Sequence, residues 1–200
     1  MRNLNTMLFS LRPLCLIGVL SFLFACKSTT NPQVVIETDQ GTITAEIYLQ
    51  QAPISAGNFL KLVDKGHYNK GNAVFYRVTR PDNQPNNEVK IDVIQGGLYH
   101  EADADAIPHE TTQKTGLHHL DGTLSMARAE PGTASSEFFI CIGDQPELDF
   151  GGKRNPDGQG FAVFGQVTDG MSTVHAIQTL PDNQQYLIEP VVIRSIRRLP

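Results

Sequence analysis

The stretch SSEFFICIG, residues 135–143, poses the question on which the reading of this chain turns. On an extended strand, residues two apart share a face. Glu137, Phe139 and Cys141 therefore line one surface, and Phe138, Ile140 and Ile142 the other. The second set reads as core. The first opens with a carboxylate beside an aromatic ring, which is either a solvent edge or a binding site. The strand alone leaves both open.

Similar patterns lie on either side of it. VVIET and GTITAEIYL, joined through Asp39-Gln40-Gly41, form a hairpin signal: β-branched residues, alternation and a glycine-containing turn. Ile43, Ala45 and Ile47 share one face. In APISAGNFLKLVDKGHY, Ala56, Phe59, Leu60 and Val63 fall at helical spacing, with Pro53 suited to the first turn and Gly66 to the stop. AVFYRV, IDVIQGG, GTLSMAR, FAVFGQV and VVIRSIRR read as further strands, and the Gly pair in VIQGG permits a bend or a close backbone approach. Met171, Val174 and Ile177 mark a second amphipathic helix. Residues 80–90 and 151–160 are polar, Pro-, Asn- and Gly-rich loops. There is no internal repeat. Many short strands with two helices predict a mainly β fold built on an antiparallel sheet, most economically a closed barrel, although periodicity also admits a sandwich.

The first 26 residues differ from the rest. They carry Arg2 and Arg12, no acid, and an apolar run too short to span a bilayer, the pattern of a secretory signal peptide. Its end, Leu23-Phe24-Ala25-Cys26, resembles the bacterial lipobox, in which the cysteine is lipidated and becomes the mature N-terminus. The expected organisation is therefore a signal peptide over 1–26, a polar tether over 27–33 and one folded domain over 34–200. Removing the two signal arginines leaves 14 basic against 21 acidic residues and moves the net charge from −5 to −7. That excess disfavours nucleic acid and a basic membrane-binding patch. Of three cysteines, Cys15 leaves with the signal and Cys26 carries lipid, so Cys141 has no disulfide partner and reads as a small buried hydrophobe.

In order, FYRV, VIQGG, GTLSMA, SSEFFICIG, LDFGG and FAVFGQVTDGM resemble the cyclophilin-type peptidyl-prolyl isomerases across 34–197. The resemblance implies a closed eight-stranded antiparallel barrel capped by two helices. The family reaction rotates the bond preceding proline, whose barrier of about 18–20 kcal/mol comes from amide resonance. No bond breaks, so no nucleophile, cofactor or metal is required. The chemistry needs a donor that weakens conjugation at the prolyl nitrogen and a pocket that grips the ring. The resemblance makes Arg77 the donor and Gln95 its catalytic companion. It places Phe75, Val93, Ala127, Glu137, Phe139, Leu148 and Phe161 in contact with substrate. Taken singly, Val93, Phe139 and Leu148 read equally well as ordinary core, and Arg77 as a surface arginine.

Several residues depart from the family pattern. Glu137 stands where glutamine is usual, Asp92 where phenylalanine is general, Glu147 at an aromatic position, Arg128 for asparagine and Phe161 for histidine or tyrosine. A groove more charged than usual is expected, with Glu137 at its rim and within possible reach of Arg77. His118, His119, His109 and Glu110 suggest a metal site, but adjacent histidines on a strand or loop point apart and no i, i+4 pair supports them, so no metal is expected. Two readings follow. One is a monomeric isomerase acting on proline-containing polypeptides, exported, lipid-anchored and facing the periplasm of a bacterial envelope, with Lys27 weakly favouring the outer membrane. The other is a proline-peptide binding module or holdase with weak or no catalysis, its groove altered by Asp92, Glu137 and Glu147.

Overall fold

The computed structural model describes residues 30–98 and 104–200. The signal segment, Cys26 and the start of the tether lie outside the described residues. The first strand, β1 (Gln33–Thr38), turns through Asp39-Gln40 into β2 (Gly41–Ile47), with Thr38 facing Gly41 as the hairpin signal requires. Helix α1 (Pro53–Asp64) follows, then β3 (Ala73–Thr79), β4 (Val93–Leu98) and a one-turn helix, α2 (Thr112–Thr115). The chain continues through β5 (Thr123–Met126), β6 (Phe138–Cys141), β7 (Ala162–Asp169), α3 (Met171–Gln178), the two-residue β8 (Asp182–Asn183) and β9 (Tyr186–Arg198).

The strands hydrogen-bond in the order β1-β2-β7-β5-β6-β4-β3-β9, and β9 pairs back onto β1, so eight antiparallel strands close into a barrel. Closure removes the free strand edges an open sheet would expose. The additional strand, β8, is a short arm folded onto β9. The third helix escapes the sequence pattern because four residues are too few to show an apolar stripe.

Helix α1 closes one end, burying Ala56, Phe59, Leu60 and Val63. Pro53 occupies its first turn and Gly66, at φ 65°, follows its last. Ala52 offers no side-chain cap. Instead the buried Glu110 carboxylate accepts the N–H groups of Ile54 (3.3 Å) and Ser55 (2.9 Å), satisfying two of the helix's unpaired donors. The α3 helix buries Val174 and Ile177 in the main core cluster.

Two apolar clusters result. The larger fills the barrel, where Phe138 meets Phe59, Tyr68 and Phe75 edge-on at 5.5, 6.2 and 5.8 Å. The smaller lies on the outer wall: Ile91, Val93, Phe139, Cys141 and Leu148, flanked by Ala127 and Phe161. Strand β6 is buried on both faces and belongs to both clusters.

Candidate active site

Register places the site residues in one row across four strands. Arg77 of β3 faces Gln95 of β4, Gln95 faces Phe139 of β6, and Phe139 faces Ser125 of β5. Opposed side chains on one face of a sheet lie close enough to interact directly. Arg77, Gln95 and Phe139 form the wall of an open groove of about 750 Å³, which Val93, Ala127, Glu137, Leu148 and Phe161 also line, while Ser125 is fully buried.

Phe75 does not join them. It is fully buried inside the barrel, and a bulge in β3 explains why. Phe75 pairs with Gly96 and Arg77 with the adjacent Gln95, so Tyr76 is the extra residue. Strict alternation would put Arg77 on the same face as Phe75, pointing inward. The bulge turns Tyr76 and Arg77 to the groove and leaves Phe75 and Val78 in the core.

The guanidinium of Arg77 is gripped from two sides. Its Nη1 donates to Gln95 Oε1 (3.1 Å), and its Nε (3.1 Å) and Nη2 (2.6 Å) donate to Gln185 Oε1. Gln185 holds a left-handed backbone, φ 77°, fixed by its N–H on Asp182 and its side-chain amide on the Asn83 carbonyl. Glu137 is not bonded to Arg77. Its Oε2 accepts from Tyr76 Oη (2.5 Å) and Gln95 Nε2 (3.2 Å), and Gln95 Nε2 also donates to Tyr76 Oη (2.5 Å). A carboxylate only accepts, so Glu137 forces the amide nitrogen of Gln95 toward itself and presents Oε1 to Arg77. Glu137 thus orients the donor through Gln95. Burial, then the Glu137 bond, pushes the Tyr76 phenol far above its ordinary value, so it stays a neutral donor.

Beneath the floor lies a second polar chain. The His119 ring stacks on Phe139 at 6.0 Å, with Nδ1 2.6 Å from Asp149 Oδ1 and Nε2 2.9 Å from Ser125 Oγ. Burial outweighs the Asp149 bond and lowers the His119 pKa, so the ring is neutral, donating to Asp149 and accepting from Ser125. Burial also works to raise the Asp149 carboxyl, but its bonds from His119 and His118 prevail and hold it low. Ser125 is fully buried under this ring, so the chain supports the floor and offers no nucleophile to the groove. His118 and His119 do not point apart: each reaches one oxygen of Asp149.

Two expected groove charges turn elsewhere. Asp92 accepts from Gln178 of α3, where burial raises its pKa. Period 2 back from Gln95 and Val93 puts Ile91, not Asp92, on the groove face, and Ile91 does sit in the outer cluster. Glu147 accepts the Lys153 N–H (2.8 Å) within its own loop. Arg128 is locked against the wall, paired with Asp157 (2.8 and 3.0 Å), bonded to the Gly160 carbonyl and set 5.1 Å over the Phe161 ring. Burial raises the Cys141 thiol well above its usual value, consistent with a packing role. Sequence reasoning missed Tyr76, Ile91, His119 and Gln185. Only Ile91 left a signal, its alternation with Val93.

The sequence matches the family model described as Cyclophilin type peptidyl-prolyl cis-trans isomerase/CLD over residues 33–198. It is 34% identical over 184 residues to a peptidyl-prolyl cis-trans isomerase of Acinetobacter baylyi, covering 88% of this chain and 89% of the relative. The peptidyl-prolyl cis-trans isomerase B of Escherichia coli is 31% identical, with 82% of this chain and 97% of the relative covered. A cyclophilin-type isomerase of Cryptosporidium parvum, solved in the presence of the dipeptide Ala-Pro, superposes with a TM-score of 0.66 at 25% identity, covering 84% of this chain and 99% of that one. Because the family model spans the barrel from its first strand to its last, the chain belongs to the cyclophilin-type peptidyl-prolyl cis-trans isomerases.

Proposed function

We propose that this isomerase turns Xaa–Pro bonds in polypeptides of a bacterial cell envelope, with Arg77 as the donor to the prolyl nitrogen. The row Arg77–Gln95–Phe139 carries the reading. Phe139, Val93, Ile91, Leu148 and Phe161 form an apolar recess for the prolyl ring, and the related Cryptosporidium parvum isomerase was solved in the presence of a proline-containing dipeptide, Ala-Pro. As the peptide bond twists, the nitrogen regains a lone pair. A fixed guanidinium stabilises that state and not the planar ground state. Gln95 and Gln185 hold Arg77 through neutral oxygens, leaving its charge available to the reaction.

The envelope setting and a lipid on Cys26 rest on the N-terminal sequence, and mass spectrometry of the mature terminus tests them: an acylated Cys26 is expected. The holdase alternative loses two of the three charges that motivated it, because of Asp92, Glu137 and Glu147 only Glu137 lines the groove. The catalytic assignment is tested by cis–trans exchange of a short Xaa-Pro peptide followed by NMR. Arg77→Ala should lower kcat/KM by about 10²–10³-fold, as for loss of one preorganised donor, with unfolding unchanged. A variant as fast as the wild type would remove Arg77 from the reaction.

A further inference from the structure

Three guanidiniums line the groove, and two of them, Arg77 and Arg154, have no carboxylate partner among the described residues. Arg77 bonds only to the amide oxygens of Gln95 and Gln185. Arg154 donates through Nη1 to Gln84 Oε1 (2.9 Å) and the Val89 carbonyl (2.6 Å), while its backbone N–H bonds the Glu147 carbonyl. These bonds fix Arg154 at the seam of the two long polar loops, 80–90 and 151–160, where it lines the same groove as Arg77. Burial first, and then the charge of Arg77, depresses the Arg154 pKa, so the two cations feel one another. Arg128 differs, being matched by Asp157. Glu137, the one acid lining the groove among the described residues, accepts from Tyr76 and Gln95.

A half-buried cation beside a like charge is relieved by any anion that reaches it. A carboxylate suits a guanidinium best, since two parallel N–H donors match its two oxygens. We propose that Arg154 makes this groove selective for proline sites flanked by an Asp or Glu side chain, the acid docking at the loop seam while the prolyl ring occupies the outer cluster. The proposal rests on the isomerase reading and names its substrate class.

Peptides capped at both ends, so that the only carboxylate is a side chain, test it. Glu, Gln or Lys is placed directly before the proline or two residues after it, and exchange is measured by NMR. At one of these positions the Glu peptide should exceed the Lys peptide in kcat/KM by about fivefold to tenfold, the scale of a partly exposed ion pair. Arg154→Gln should bring that ratio toward one, and Arg154→Lys should keep part of it. Equal rates for Glu and Lys peptides at every position, or a ratio unchanged in Arg154→Gln, would overturn the proposal. Should Arg154→Gln fail to fold, the wild-type ratio and the Lys variant decide. If no peptide is turned over, the isomerase reading fails instead. Chemical-shift titration with the same peptides then judges the anion preference: tighter binding of the Glu peptide supports it and equal binding refutes it.

Discussion

Phe138 and Phe139 are neighbours in sequence and opposites in role. Both are almost fully buried, at 0% and 4% exposure, so burial does not separate them. Phe138 sits among three other rings inside a closed barrel. Phe139 lies on the outer wall, with one ring edge-on (Phe161, 5.3 Å), a neutral imidazole behind it and an open groove in front. The comparison teaches that an apolar residue on a barrel strand serves stability or binding according to the face it occupies. A pocket floor is a piece of core with one side left uncovered.

The largest expected effect is on stability. Phe138→Ala should cost about 3–5 kcal/mol by urea denaturation, because no small movement fills the space left by a ring at the centre of an aromatic cluster. Phe139→Ala, with an open side through which neighbours and water can adjust, should cost clearly less. Equal losses would blur the distinction between the clusters.

Next comes the close approach between β4 and the chain entering β6. Gly97 has φ 137°, and an added Cβ would lie 2.6 Å from the Ser136 carbonyl oxygen and 2.7 Å from the Glu137 Cα. Gly97→Ala should cost about 1–3 kcal/mol from backbone strain alone, and should also slow turnover by shifting Glu137 and, through it, Gln95. A variant of native stability would show that the approach is not required.

The smallest effect is one of pH. The folded pKa of His119 lies below its unfolded value of about 6.5. The folded state therefore binds fewer protons, and the stability from the neutral ring is fully present above about pH 6.5. It is lost as pH falls from there through the folded pKa. The half-buried His109 is shifted the same way, with burial the leading cause, and adds to this slope. Asp149, held low by its histidines, adds a loss that begins only below about pH 3.9. Thermal melts between pH 7.5 and 5 should fall, and His119→Gln should flatten part of that fall. An unchanged slope would mean that His119 takes up its proton as readily beneath the floor as in the unfolded chain, against the lowered pKa.

Much of this division was legible in the sequence. Period 2 assigned Phe138 and Phe139 to opposite faces, the Asp39-Gln40-Gly41 turn gave the first hairpin, and helical spacing with Pro53 and Gly66 bounded α1. The same rule, applied from Gln95, points to Ile91 as the groove residue, and aligning Asp92 there set it aside. Alternation could not foresee the β3 bulge, which separates Phe75 from Arg77. Nor does any local signal reveal Gln185, 108 residues from Arg77, or the partnership of His119 with Asp149 30 residues away. Such bonds depend on closure of the barrel, which brings strands and loops together regardless of their separation along the chain.

The most direct test of the two-face account is Xaa-Pro exchange by NMR on Phe138→Leu and Phe139→Leu, each compared at equal concentrations of folded protein. Phe139→Leu should lose about tenfold in kcat/KM, near 1.4 kcal/mol, for loss of the flat floor beneath the prolyl ring. Phe138→Leu, although less stable, should stay within about twofold of the wild type, which is under roughly 0.5 kcal/mol. A folded Phe138→Leu as slow as Phe139→Leu, or a Phe139→Leu at full rate, would contradict the assignment of catalysis to the outer face.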